Sequence, residues 1–271
     1  MNVQKKRYKP LFSNKINMEH VFENNLLWDE YNSLSSRKIW EKQRDLVLIM
    51  AGNLDLPKVL YELNGLPLIV HIVKSALHID STSIIYIIVG KYRQQIEKVI
   101  NEHFMKSDYI RYINQPEPLG TGHAIQCCLP VLQQYFSSSK VLILSGDMPF
   151  FSTHSMREVM NNQFAATIVA THMEEPFGYG RIIQSHQQSH PQSHPSAFRI
   201  VEEKDCTDEE KLVKLVNCGI YAFENGFLCK NLPKINNNNA QQEYYLTSIF
   251  SGGGEGKIGI FEMEDMRSKT I

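Results

Sequence analysis

Short apolar runs alternate with amphipathic ones from residue 45 onward, and this alternation limits the fold more than any other feature of the chain. Residues 46–51, 84–89, 109–113 and 140–144 are rich in β-branched and aromatic side chains. They are short for helices and largely apolar at both parities, as strands are when both faces are covered. Between them lie segments of helical period at 67–77, 91–104 and 124–135. In the second, Tyr92, Ile96, Val99, Ile100 and Phe104 share one face; the third is carried by Ala124, Ile125, Cys128, Val131, Leu132 and Tyr135. Strands and helices alternating at this spacing predict a three-layer α/β fold with a mostly parallel sheet. Ligands of such sheets bind at the carboxyl ends of the strands. The loops at 52–58, 114–122 and 145–149 are therefore expected on one rim.

The richest of these loops is Gln115-Pro-Glu-Pro-Leu-Gly-Thr-Gly-His-Ala124. Two glycines flank a Thr where strand gives way to helix. Glycine allows close backbone approach, and the first amides of a helix are donors with positive partial charge. The expected ligand is flat and partly anionic, of the nucleotide kind. After residue 152 the pattern loosens into strand-like runs at 165–172, 181–183, 198–201 and 216–223. Between two of them, His186, His190 and His194 recur in a Ser/Gln/His/Pro tract. Pro191 and Pro195 oppose a helix that would align these imidazoles, so a solvated hairpin tip is expected there. Residues 236–239 read as a loop and 251–254 as a turn before a strand.

Bulk properties exclude several classes. Hydrophobic residues make up 42% of the 271, enough for a core, and a net charge of −1 without a basic block argues against a nucleic-acid partner. No apolar run is long enough to span a bilayer, and no apolar stretch follows the polar start, so a cytoplasmic chain is expected. Five scattered cysteines without a C-x-x-C pair suggest neither a zinc site nor a disulfide framework. Residues 1–44 differ in texture and are expected to form an N-terminal extension, with 21–34 as a candidate amphipathic helix.

The ordered motifs form a set. Leu56-Pro-Lys-Val-Leu60, the Gln115–Ala124 stretch and Gly146-Asp-Met-Pro149 are followed by Gly178-Tyr-Gly-Arg-Ile182 and Ile200-Val-Glu-Glu-Lys-Asp205. Asn217-x-Gly219-Ile220 and Asn239-Ala-Gln-Gln-Glu-Tyr-Tyr-Leu-Thr247 complete it. Together they resemble the uridylyltransferase domain of the bacterial bifunctional GlmU enzymes, in unbroken order over roughly residues 45–265. The resemblance implies a Rossmann-like nucleotide-diphospho-sugar transferase fold with an added sugar-binding β subregion. The nucleotide half is expected at about 45–150 and the sugar half at about 151–265. The implied reaction joins UTP to N-acetylglucosamine-1-phosphate with Mg²⁺, giving UDP-GlcNAc and pyrophosphate; another hexose phosphate is the open alternative for the sugar. The hexapeptide repeats of the family's acetyltransferase domain are not met in this sequence, so that second activity is not expected.

By the same resemblance, Lys58 contacts phosphate, while Ala51, Gly52, Gln115, Gly120 and Thr121 bind the nucleotide. An amide side chain beside backbone groups is the chemistry that pairs with an imide edge. Asp147 matches the carboxylate that holds Mg²⁺, a hard cation that prefers oxygen. Gly180, Glu202, Asn217, Tyr245 and Thr247 match positions that bind the amino sugar. Two departures stand out. The family's Ala-Gly-x-Gly-Thr-Arg-Met loop is here the shorter Ala51-Gly-Asn-Leu-Asp-Leu-Pro57, without its arginine, and the terminal Gly-Val-Asn of the metal site is not met by Ile271. A second reading follows from them: a non-catalytic relative that binds a UDP-sugar or a partner protein.

Overall fold

The computed structural model describes residues 42–52, 57–105, 107–184, 198–251 and 257–263. Strand β1 (Leu46–Met50) precedes a 3-10 turn at Lys58–Leu60, a ribbon of β2 (Glu62–Leu63) and β3 (Leu66–Pro67), and helix α1 (Leu68–Leu77). Then come β4 (Ile84–Val89), α2 (Arg93–Phe104), β5 (Ile110–Asn114), the short helices α3 (Thr121–Gln126) and α4 (Leu129–Leu132), and β6 (Lys140–Ser145). Helix α5 (Thr153–Met160) leads to β7 (Ala166–His172), β8 (Arg181–Gln184) and β9 (Phe198–Val201). The last elements are α6 (Asp208–Lys211), β10 (Leu215–Glu224), α7 (Asn225–Asn231) and β11 (Ile258–Glu262).

The main sheet runs β11-β7-β10-β6-β1-β4-β5, with β8 and β9 branching from β10. β1 pairs in parallel with β4 and β6, and β4 with β5. β10 enters antiparallel between β6 and β7. Alternate residues of each central strand feed two separate cores. Leu46, Leu48, Tyr86, Ile88 and Ile143 face one layer; Val47, Ile49, Ile85, Ile87 and Leu142 face the other. The second layer receives Ile69, Ile72 and Val73 of α1, Ile96 and Ile100 of α2, and Met156 and Val159 of α5. All six residues of β4 are buried, and each such side chain contributes about 1.5–3 kcal/mol on leaving water. This explains why a continuous apolar run without alternation marks a central strand.

The strands expected from the sequence fall within a residue or two of those observed. The helix expected over 124–135 does not form as one piece: it breaks at Cys127–Cys128 into α3 and α4. Pro130 lacks an amide hydrogen and its ring bars an unbroken helix through the preceding turn, so it sits at the start of α4, where neither matters. The segments expected at 21–34 and 185–196 lie outside the described residues; β8 and β9 on either side of the second pair antiparallel. Among the described residues no helix is long and apolar enough to cross a membrane.

Candidate functional site

Because β1, β4, β5 and β6 are parallel, their carboxyl ends lie on one edge of the sheet. Ala51 is buried there, its amide donating to Ile88 O at 2.9 Å. Gly52, the next residue, is exposed. A cleft of about 170 Å³ opens beside it, lined by Gly52, Gln115, Gly120 and Thr121 together with Pro118 and Glu243. Met50, Ile88 and Ala124 form its apolar floor. Gln115 is buried although polar; its Nε2 donates to Gly120 O at 3.2 Å and lies 3.3 Å from His123 Nδ1. This holds the carboxamide oxygen toward Gly52, where a Cβ would lie 3.1 Å from it. Four of the five residues assigned to the nucleotide thus share one cleft, while Ala51 supports it from below.

The glycines of this loop have a cause the sequence does not reveal. A Cβ at Gly120 would stand 2.7 Å from Tyr244 O, and one at Gly122 would stand 2.8 Å from the same atom. Their missing side chains admit the chain's own 243–247 segment. The Gly122 amide donates to Tyr244 O at 2.6 Å, and Tyr244 N to Leu119 O at 2.8 Å. One of the helix-end donors expected to face a ligand is therefore taken internally. The Thr121 hydroxyl is committed as well, accepting from Leu246 N at 3.2 Å.

Lys58 and Asp147 are not among the residues that line this cleft. Gly146 is pressed against the end of β1: its amide donates to Met50 O at 2.9 Å, and a Cβ there would meet Met50 O at 2.7 Å and Val59 Cγ1 at 2.8 Å. That contact sets exposed Asp147 next to the turn bearing exposed Lys58. The Ser145 hydroxyl donates to Asp147 Oδ1 at 2.6 Å, which leaves Oδ2 free of that bond. Among the described residues no group of three or more His, Cys, Asp or Glu is placed to hold a metal. A single carboxylate suits a cation that keeps water and borrows ligand oxygens.

The residues assigned to the sugar form a second cluster. A Cβ at Gly180 would lie 3.1 Å from Glu202 Oε2, so this carboxylate rests over the glycine. Thr247 Oγ1 donates to Glu202 Oε1 at 2.7 Å. Asn217 N donates to Gly180 O at 2.9 Å. Tyr245 is buried, and its hydroxyl accepts from Gln241 Nε2 at 2.8 Å. Burial is the main reason its phenol is pushed up to about 12. Burial likewise raises the Glu202 carboxyl above the usual range; the Thr247 bond opposes this, and the charges of Asp205 and Glu243 add to it. Arg181, next to Gly180, has a side chain 2% exposed, with Nη2 2.7 Å from Glu203 Oε2 and Nη1 donating to Tyr179 O.

The 243–247 segment joins the two clusters. Glu243 lines the cleft, Tyr244 packs on the glycine loop, and Thr247 holds Glu202. The sequence offered Tyr245 and Thr247 from this run but not Glu243, although it stands in the same Glu-Tyr-Tyr triplet. Nor does the sequence single out Arg181, which lies inside the Gly178–Ile182 motif.

Residues 54–256 match the family described as Nucleotidyl transferase. A probable UDP-N-acetylglucosamine pyrophosphorylase of Acanthamoeba polyphaga mimivirus is 34% identical over 238 residues, covering 83% of this chain and 88% of that protein. The bifunctional protein GlmU of Streptococcus sanguinis is 35% identical over 218 residues, 78% of this chain; the chain spans 44% of that bacterial relative. A solved UDP-glucose pyrophosphorylase complexed with UDP-glucose aligns over 77% of this chain and 86% of that one. Its TM-score is 0.56 at 17% identity, a likeness of fold. These matches establish that the chain belongs to the nucleotidyl transferase family, alongside the UDP-N-acetylglucosamine pyrophosphorylases.

Proposed function

We propose that this chain is a uridylyltransferase that makes UDP-N-acetylglucosamine and pyrophosphate from UTP and N-acetylglucosamine-1-phosphate in the cytoplasm. The observation that carries the reading is the junction of two clusters. A cleft of base-sized proportions contains Gln115, and a carboxylate–amide cluster of Glu202 and Asn217 is tied to it through residues 243–247. The names of the relatives point to the same substrates.

In this reading the sugar phosphate oxygen attacks the α-phosphorus of UTP. A new P–O bond forms as the bond to the β-phosphate breaks, and pyrophosphate leaves. Such transfers depend chiefly on positioning and on charge neutralisation. Gln115 and the Gly52 and Gly120 backbone meet the base, Thr121 braces the loop, and Ala51 fixes its floor. Lys58 lies on the phosphate side, a point charge suited to phosphate oxygens. Asp147 would hold magnesium, with substrate phosphates and water completing the shell, and the ion would offset their charge. Gly180 leaves room over Glu202, whose carboxylate accepts from sugar hydroxyls, while Asn217, Tyr245 and Thr247 complete the pocket.

The test is pyrophosphate release from UTP with N-acetylglucosamine-1-phosphate and Mg²⁺, run beside glucose-1-phosphate and beside Asp147→Ala. Turnover of the N-acetylated sugar that falls at least a hundredfold in the variant supports the reading. Equal rates with both sugars would overturn the sugar assignment. UDP-GlcNAc binding without turnover would turn the assignment toward a binding module.

A further inference from the structure

The side chain of Asn217 is gripped at both ends. Its Oδ1 accepts from Gly219 N at 2.9 Å, and its Nδ2 donates to the Tyr221 hydroxyl at 2.8 Å. A backbone N–H can meet only the oxygen of the carboxamide, so the first bond decides which end is nitrogen, and the second fixes its rotamer. Residues four apart in an extended strand stand roughly 13 Å apart along the chain. The two side chains meet here because β10 is irregular: Asn217 pairs with Ala170 but Tyr221 with Ile168, and Gly219 between them has φ +69°. The irregularity thus places one side chain against the other.

Tyr221 is 4% exposed, with its ring against Phe250 and Phe223 at centroid distances of 5.8 and 6.3 Å. Since its oxygen accepts from Asn217, its own hydrogen remains a donor. Burial raises this phenol well above its ordinary range, and the charge of Glu202 adds to the shift, so the hydroxyl keeps its proton. The phenol that meets the Asn217 amide is therefore neutral.

We propose that Tyr221 is a specificity-determining positioning residue: it holds the Asn217 amide in the orientation that recognises an N-acyl group and so separates an acylated amino sugar from a plain hexose. The inference rests on the sugar half having the role given above. It is tested with Tyr221→Phe, which keeps the ring and its packing and removes the oxygen. The variant is expected to raise KM for N-acetylglucosamine-1-phosphate about tenfold, the scale of one hydrogen bond. KM for UTP should stay within about twofold, and discrimination against glucose-1-phosphate should narrow by the same tenfold factor. Added to Asn217→Ala, the substitution should have no further effect, because its influence runs through that amide. Equal changes for both substrates, an unchanged sugar preference, or full additivity with Asn217→Ala would each overturn the proposal. Wild-type protein that does not distinguish the two sugars would instead mark the failure of the sugar-half reading. Calorimetry with UDP-GlcNAc and UDP-glucose reads the same ratio without turnover.

Discussion

The half proposed to bind the nucleotide and the half proposed to bind the sugar hold their candidate residues by different means. In the first, β1, β4, β5 and β6 are parallel, all but the half-exposed edge strand β5 are mostly buried, and the candidate groups sit on loops at the ends of an apolar sheet. In the second, β8, β9 and β10 are antiparallel, one strand is irregular, and the pocket groups project from the strands and their ends. The polar contacts there are internal: Arg181 to Glu203, Thr247 to Glu202, Asn217 to Tyr221. The first region is set by packing, down to the glycines at which its loops press on neighbouring backbone. The second is set by hydrogen bonds, so few of its polar residues are replaceable.

The sharpest way to break this contrast is to remove one support from each half. Ile87 is fully buried in β4, and Ile87→Ala should cost about 3–5 kcal/mol with little change in the site of whatever fraction folds. Arg181→Met removes one partner of a buried pair and should cost about 3 kcal/mol. It should also raise KM for the sugar phosphate, because Tyr179, Lys211 and Glu203 are bonded to that guanidinium. Urea titration and steady-state kinetics on both variants separate the two kinds of damage. An Arg181 variant that loses stability with an unchanged sugar KM would show that the polar network is mere scaffolding.

The same division explains what the sequence reveals. Central strands such as β4 are legible because an unbroken apolar run has one stable destination. The rim is legible for the same reason, since parallel strands place their following loops on one edge. The interior of the sugar half was not legible. Nothing in the spacing of Asn217 and Tyr221 tells that Gly219 folds the strand so that they touch. Nor does the Gly-Thr-Gly sequence tell that its glycines admit Tyr244, a residue more than a hundred positions away. Close approach was the right physical reading of those glycines, but the partner that approaches is the chain itself. The break at Cys127–Cys128 was readable from Pro130, a breaker that prevails over the helical period of the apolar residues around it.

Glycine substitutions sharpen the contrast at smaller cost. Gly122→Ala would bring a methyl within 2.8 Å of Tyr244 O, a backbone atom that cannot swing aside. The expected cost is about 2 kcal/mol, and displacement of 243–247 should raise KM for UTP and for the sugar phosphate together. Gly178→Ala is the control: its φ is +85°, but open space surrounds the position, so only backbone strain remains, about 1 kcal/mol. Thermal melts and paired KM values on the two variants decide the matter. A Gly122 variant that affects UTP alone would mean that the 243–247 segment does not couple the two clusters.

The finest test lies within the sugar half, where adjacent carboxylates have opposite electrostatics. Burial holds Glu202 above the ordinary glutamate value of 4.5. Although desolvation opposes it, the Arg181 guanidinium and the Gly178 amide hold Glu203 below that value. For Glu202 the unfolded chain releases its proton first, so its contribution is full below 4.5 and is lost as pH rises through and above that value. For Glu203 the folded chain releases its proton first, so stability is present above 4.5 and is lost as pH falls below it. Glu202→Gln should therefore stabilise the protein at neutral pH and Glu203→Gln should destabilise it. Both differences should shrink on acidification, and urea midpoints measured from pH 7 downward read them directly. Midpoints that move in the same direction at neutral pH would mean that the two carboxylates share one environment, and the polar half would then lack the internal pairing on which its precision depends.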